Sequence, residues 1–105
     1  MKEISANEAK SLIEANPDLK VVDVRTLEEF ESGHIPGATL HTYDAAFPET
    51  VKNFDKNAAC LVYCRSGQRS FHAVKEMEKL GFNNLYMLKE GIIAWRLEGF
   101  PIRKP

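Results

Sequence analysis

Residues 60–70 read Cys-Leu-Val-Tyr-Cys-Arg-Ser-Gly-Gln-Arg-Ser, and this stretch decides the fold. Its first four residues are apolar, as expected for a strand that is buried on both faces. A polar loop follows, and apolar residues then recur at every third position: Phe71, Val74, Met77 and Leu80. This spacing predicts a helix that ends at Gly81. The stretch is therefore predicted to be a strand, a loop and a helix in succession.

Short apolar runs elsewhere predict the other strands. Residues 19–24 and 85–88 have the composition of buried strands, and residues 39–40 are a candidate short strand. Strands that are separated by helices pair in parallel through right-handed crossovers. The fold class is therefore predicted to be α/β, with a small central parallel sheet.

Capping patterns predict where the other helices begin. Residues 5–8 (Ser-Ala-Asn-Glu) and 26–29 (Thr-Leu-Glu-Glu) both have the spacing of a capping box. The second of these helices is expected to end at Gly33. A weaker helical segment covers residues 43–54, and residues 90–97 predict the last helix.

The composition is that of an ordinary globular domain. With 105 residues, 44% of them hydrophobic, the chain can bury one core, so residues 1–105 are expected to form a single domain. Because 14 Lys and Arg balance 15 Asp and Glu, no basic surface is predicted for nucleic acid or an anionic membrane. No apolar run approaches the ~18 residues of a membrane span, and no signal peptide is recognised. A cytoplasmic protein is expected.

Cys64 is the candidate nucleophile. It follows a buried strand and precedes a helix, so several backbone N–H groups and the positive end of the helix dipole are expected to face its thiol. Arg65 and Arg69 add positive charge, and the pKa of Cys64 is therefore expected well below the free value of ~8.5. Gly67 allows a backbone conformation that other residues resist, and Ser70 is expected to be the N-cap of the helix. The alternative is that Cys64 is simply a small buried residue.

The other cysteine, Cys60, has no predicted chemical role. In one strand its Cα lies about 13 Å from that of Cys64, beyond the ~7 Å limit for a disulfide. It is interpreted as a small core residue. Two cysteines and three histidines lack the spacing of a zinc site, so neither a metal nor a cofactor is expected.

Three motifs, in order along nearly the whole chain, resemble the rhodanese family. The first comprises residues 22–25 (Val-Asp-Val-Arg), Glu29-Phe30 and residues 33–38 (Gly-His-Ile-Pro-Gly-Ala), and the second is the loop at residues 64–70. The third comprises Gly81-Phe82, Leu88, Gly91, Ala94-Trp95, Gly99 and Pro101. The resemblance implies the rhodanese-like fold, with helices on both faces of the sheet, and sulfurtransferase activity.

The resemblance also implies a two-step mechanism. The Cys64 thiolate attacks the outer sulfur of thiosulfate or a persulfide donor, and the resulting Cys64 persulfide gives that sulfur to cyanide, a thiol or an acceptor protein. Nucleophilic catalysis of this kind divides one difficult transfer into two easier steps. The candidate donor-binding residues are those of the loop: Arg65, Ser66, Gly67, Gln68, Arg69 and Ser70. Arg69 is the first candidate for the cation that binds the small anionic donor.

The length of the loop argues against phosphatase activity. Related phosphatases have a loop one residue longer, which ends in Cys-(five residues)-Arg, whereas that count from Cys64 reaches Ser70. A phosphatase also needs a general acid, for which Asp55 and Glu76 have no evident placement. Two other functions stay open: a persulfide carrier that works with a partner protein, and a non-catalytic rhodanese-like regulatory module.

Asp23 and Arg25 are expected to support the site structurally, although a catalytic role is the alternative. Asp23 can accept hydrogen bonds from turn amides, and Arg25 can pair with Glu28 or Glu29. His34 is interpreted as a hydrogen-bonded turn residue. His72 either lines the rim of the site or is simply solvated.

Overall fold

Five parallel strands form the central sheet in the computed structural model, which describes residues 1–105. The strands are β1 (Lys2–Ile4), β2 (Lys20–Asp23), β3 (Ala38–Leu40), β4 (Cys60–Tyr63) and β5 (Leu85–Leu88). Their spatial order is β1-β5-β4-β2-β3, and all four pairings are parallel. The predicted α/β class with a parallel sheet is confirmed. Strand β1 was not predicted, because its three residues are mostly exposed and carry no apolar run.

Four helices connect the strands, and a fifth follows the last strand. They are α1 (Ala6–Ala15), α2 (Leu27–Glu31), α3 (Phe47–Val51), α4 (Gln68–Lys79) and α5 (Gly91–Leu97). Both predicted capping boxes are present, with Ser5 and Glu8 at the start of α1 and Thr26 and Glu29 at the start of α2. None of these helices is long and apolar enough to cross a bilayer.

The two faces of the sheet are covered by different helices, as the resemblance implied. Cys60, Val62 and Cys64 point to one face, where they pack with residues of α3 and α4. Leu61 and Tyr63 point to the opposite face, which packs against α1 and α5 and contains the buried Trp95. The side chains of strand β4 therefore alternate between two cores, with Cys64 on the side of α4.

The prediction of which residues form the apolar face of α4 is partly wrong. Val74 and Met77 are buried, but Phe71 and Leu80 at the two ends of the predicted row are exposed. Each residue advances an α-helix by about 100°, so two residues nine positions apart lie on opposite sides. The buried face instead follows the usual helical spacing, through Ser70, Ala73, Val74 and Met77.

Candidate active site

Residues 64–70 run from the carboxyl end of β4 into the first turn of α4, and we call this segment the active-site loop. Strand β4 is the middle strand of the sheet, so this loop lies in the crevice where parallel sheets bind ligands. The first turn of α5 holds it from one side, because the N–H groups of Ile92 and Ile93 donate to the carbonyls of Cys64 and Arg65 at 2.9 and 3.3 Å. The backbone of the loop is therefore anchored to a second helix.

Hydrogen-bond donors surround the sulfur of Cys64. The residue is 1% exposed. The N–H of Gly67 donates to Sγ at 3.1 Å and the N–H of Ser70 donates at 3.4 Å. Burial acts to raise the pKa of Cys64, but hydrogen bonds from the hydroxyl and amide of Ser70 and the amides of Gly67 and Ser66 outweigh it and lower that pKa. The shift has the predicted direction, and loop hydrogen bonds are its main favourable cause.

Ser70 does not cap α4, which corrects the sequence-based prediction. The helix begins two residues earlier, at Gln68, with Gly67 as its N-cap. Ser70 lies inside the first turn, where its hydroxyl donates to the carbonyl of Gly67 at 3.1 Å and its Oγ lies 3.4 Å from Sγ of Cys64. The thiol can donate to this oxygen, whereas a thiolate can accept from the same hydroxyl after it rotates. Ser70 is therefore a direct partner of the Cys64 sulfur.

The conformation of Gly67 explains this early start of the helix. Its φ is +111°, in the left-handed region that side chains disfavour, and a Cβ atom there would overlap the carbonyl oxygen of Lys89. Because only glycine fits this contact, the chain can turn at residue 67 and aim the amides of Gly67 and Ser70 at the sulfur. The predicted need for glycine is confirmed.

Arg69 is bound to Glu29 of helix α2. Its Nη1 and Nη2 donate to the two carboxylate oxygens of Glu29 at 2.7 and 2.9 Å. Hydrogen bonding to Glu29 is the largest cause that raises the pKa of Arg69, and the Cys64 thiolate adds a smaller attraction. The first candidate for the donor-binding cation is thus already ion-paired. Arg65, by contrast, is exposed and takes part in none of the ion pairs.

Asp23 and Arg25 form a buried ion pair at the carboxyl end of β2. Oδ1 of Asp23 accepts from the backbone N–H and Nε of Arg25 at 2.9 and 3.0 Å, and Oδ2 accepts from Nη2 at 2.7 Å. Nη2 also donates to the carbonyl of Gly33 at 2.8 Å. The prediction that Arg25 pairs with Glu28 or Glu29 is wrong, because its side chain folds back onto Asp23. The contacts tie the strand end to the turn at Gly33.

The remaining loop side chains face solvent beside a shallow depression. Ser66, Gln68 and His72 line it, so His72 lies on the rim rather than apart from the loop. Phe71 and Lys89 also line it. Neither residue was predicted to lie at the site, since Phe71 belongs to the predicted apolar row of α4 and Lys89 follows a different strand, β5. His34 lies elsewhere, as the expected turn residue, with Nδ1 3.0 Å from the carbonyl oxygen of Phe30.

Comparison with known proteins agrees with this geometry. The family described as "Rhodanese-like domain" matches residues 5–98. A protein of Allochromatium vinosum named "Sulfurtransferase" is 32% identical over 105 residues, which cover 100% of this chain and 97% of that protein. The "Thiosulfate sulfurtransferase GlpE" of Coxiella burnetii is 34% identical over 95 residues, which cover 90% of this chain and 87% of that protein.

A solved structure supports the same assignment. The crystal structure of a rhodanese-related protein from Thermoplasma volcanium superposes with a TM-score of 0.86 at 27% identity, and the match covers 98% of both chains. The match over residues 5–98 and the full-length relatives lead to one conclusion. This chain belongs to the rhodanese-like domain family.

Proposed function

We propose that this chain is a sulfurtransferase that carries a sulfane sulfur on Cys64. The observation that carries the proposal is the set of N–H donors around the Cys64 sulfur, at 3.1 Å from Gly67 and 3.4 Å from Ser70. Such donors stabilise a thiolate, and they can also stabilise negative charge on a persulfide. The names of the full-length relatives, which are sulfurtransferases, support the same activity.

In the first step the Cys64 thiolate attacks the outer sulfur of thiosulfate or of a low-molecular-weight persulfide. A bond forms between the two sulfur atoms, the bond inside the donor breaks, and sulfite or a thiolate leaves with the electron pair. The product is a Cys64 persulfide. Arg65 is the exposed and unpaired cation of the loop, and it can attract the anionic donor.

In the second step a thiophilic acceptor attacks the terminal sulfur. Cyanide becomes thiocyanate, or a thiol becomes a persulfide, and the Cys64 thiolate is released unchanged. The thiol can belong to a small molecule or an acceptor protein. No proton transfer to the sulfur is needed in either step, because both leaving groups depart as anions that the loop amides or water stabilise.

Intact mass after incubation with thiosulfate tests this proposal. We expect a gain of one sulfur atom that cyanide removes as thiocyanate. Cys64→Ala should not gain the sulfur, whereas Cys60→Ala is a matched control that should gain it, since Cys60 is fully buried on the same strand. If Cys64 stays unmodified with excess thiosulfate and with an excess of an alkyl persulfide, the proposal is wrong.

A further inference from the structure

The ion pair between Glu29 and Arg69 joins helix α2 to the active-site loop across 40 residues of sequence. We infer that Glu29 is a specificity-determining residue: it neutralises Arg69, so the loop disfavours dianionic thiosulfate relative to monoanionic persulfides. This inference rests on the sulfurtransferase function proposed above. It concerns the choice of donor rather than the chemistry at Cys64.

The ion pair occupies the Nη1–Nη2 face of the guanidinium. Nη1 and Nη2 of Arg69 each donate to a different carboxylate oxygen of Glu29, at 2.7 and 2.9 Å. This is the two-pronged arrangement by which arginine also recognises the oxygens of anionic ligands. A sulfonate group of thiosulfate at this face would compete with Glu29, and at any other N–H of Arg69 it would meet a charge that Glu29 already offsets.

Glu29 is itself held in place from the other side. Its Oε1 accepts from the backbone N–H and the hydroxyl of Thr26 at 3.0 and 3.1 Å, as part of the capping box of α2. Hydrogen bonding from Arg69 is the largest cause that lowers the pKa of Glu29, to about 2. The carboxylate is therefore ionised at neutral pH and held by Thr26 and Arg69.

The charge of the loop follows from these contacts. With Arg69 offset by Glu29, Arg65 is the loop arginine left without an ion pair, and the Cys64 thiolate carries the opposite charge. A dianion gains no more from such a loop than a monoanion does. If one positive charge were released, thiosulfate would gain relative to a persulfide by roughly tenfold, which is about the Coulomb interaction of one extra charge pair a few ångströms apart at a dielectric close to that of water.

The variant Glu29→Gln tests the inference. Glutamine at this position still accepts from Thr26, because capping boxes tolerate Gln as well as Glu, but the negative charge is gone. The measurement is kcat/KM for formation of the Cys64 persulfide, with thiosulfate and with an alkyl persulfide that has no other charged group. We expect the ratio of thiosulfate to persulfide use to rise about tenfold in Glu29→Gln. The rise should shrink at high salt.

Two further variants separate a charge effect from a structural one. Arg69→Gln leaves Glu29 unpaired, so the ratio should fall, and the double variant Glu29→Gln/Arg69→Gln should return to the wild-type ratio. Glu28→Gln is the matched control, since Glu28 is exposed on the same helix and has no ion pair, and its ratio should not change. If the pair has only a structural role, the ratio of thiosulfate to persulfide use should instead change in the same direction in both single variants.

The outcomes distinguish this inference from the proposed function. If the wild type forms the persulfide with both donors and Glu29→Gln leaves their ratio unchanged, the inference is wrong while the sulfurtransferase function stands. If the wild type forms no persulfide with either donor, both are wrong. A ratio that rises in Glu29→Gln, falls in Arg69→Gln and returns in the double variant supports the inference.

Discussion

Cys60 and Cys64 lie on the same face of strand β4, yet their thiols have opposite surroundings. Burial raises the pKa of Cys60 to about 11, and its sulfur lies 3.7 Å from a hydrogen-bond acceptor, the carbonyl of Ala58. Cys64 is buried as well, but donors from the loop lower its pKa. At the scale of the residue, hydrogen-bond donors rather than exposure decide which of the two thiols has a lowered pKa.

The hydroxyl of Ser70 is expected to account for part of this difference. In Ser70→Ala the amide donor remains but the hydroxyl donor is lost, so the thiolate is less stable and the pKa of Cys64 should rise by about one unit. The measurement is the alkylation rate of Cys64 against pH, followed by peptide mass. Ser66→Ala is the control, because Ser66 acts through its backbone and should retain the wild-type midpoint. An unchanged midpoint in Ser70→Ala would contradict the role of the hydroxyl.

At the scale of the elements, the junction between the active-site loop and α4 depends on a close backbone contact. Gly67 has a positive φ and lies against the carbonyl of Lys89, just after strand β5. Gly81, at the other end of α4, also has a positive φ, of +99°, but a Cβ there would meet nothing within 4 Å. A side chain at position 81 would therefore meet backbone strain alone, whereas one at position 67 would meet both backbone strain and steric overlap.

Alanine at these two positions should have different effects. Gly81→Ala is expected to reduce the free energy of unfolding by about 1–2 kcal/mol, which is the cost of a left-handed conformation, and to leave sulfur transfer intact. Gly67→Ala should destabilise the protein more and abolish the Cys64 persulfide, because the displaced amide no longer reaches Sγ. Urea unfolding and intact mass after thiosulfate measure the two effects. If both variants lose the same free energy of unfolding and the same amount of Cys64 persulfide, the contact with Lys89 contributes to neither.

At the scale of the whole molecule, two ion pairs join segments around the site. The pair of Asp23 and Arg25 is buried and ties the end of β2 to the turn at Gly33. The pair of Glu29 and Arg69 is partly exposed, with 28% and 37% of the side chains accessible, and links α2 to α4. Solvent therefore screens the second pair, which should contribute less than its close geometry suggests.

The stability of the protein should depend on pH through Glu29. Its pKa is lowered in the folded state from 4.5 to about 2, so the carboxylate stabilises the fold above about pH 4.5 and loses this contribution as the pH falls towards 2. Because solvent screens the pair, we expect the free energy of unfolding of the wild type to exceed that of Glu29→Gln by about 1 kcal/mol at pH 7. The difference should become progressively smaller below about pH 4.5. Urea unfolding at several pH values measures this difference. A difference that does not change with pH would show that the ion pair is not its source.

Much of the fold was predictable because its signals are local. The apolar run at residues 60–63 and the capping boxes at residues 5–8 and 26–29 each depend on neighbouring residues alone. Strand β1 was not predictable, since it has three residues and owes its structure to pairing with β5. The buried side of α4 also differed from the predicted one, because a repeat of three residues does not match the helical period of about 3.6 residues.

The sequence by itself determined the α/β class, the strand–loop–helix unit and the candidate nucleophile Cys64, since these follow from periodicity and from the order of residues in one short stretch. Only the tertiary structure decided the partners of the charged side chains. Arg25 binds Asp23, and Arg69 binds Glu29, which is 40 residues away in sequence. The first contact is close in sequence but buried, whereas the second depends on how α2 and α4 pack. No local pattern encodes the pair of Arg69 and Glu29, and the charge of the active-site loop is therefore a property of the folded molecule.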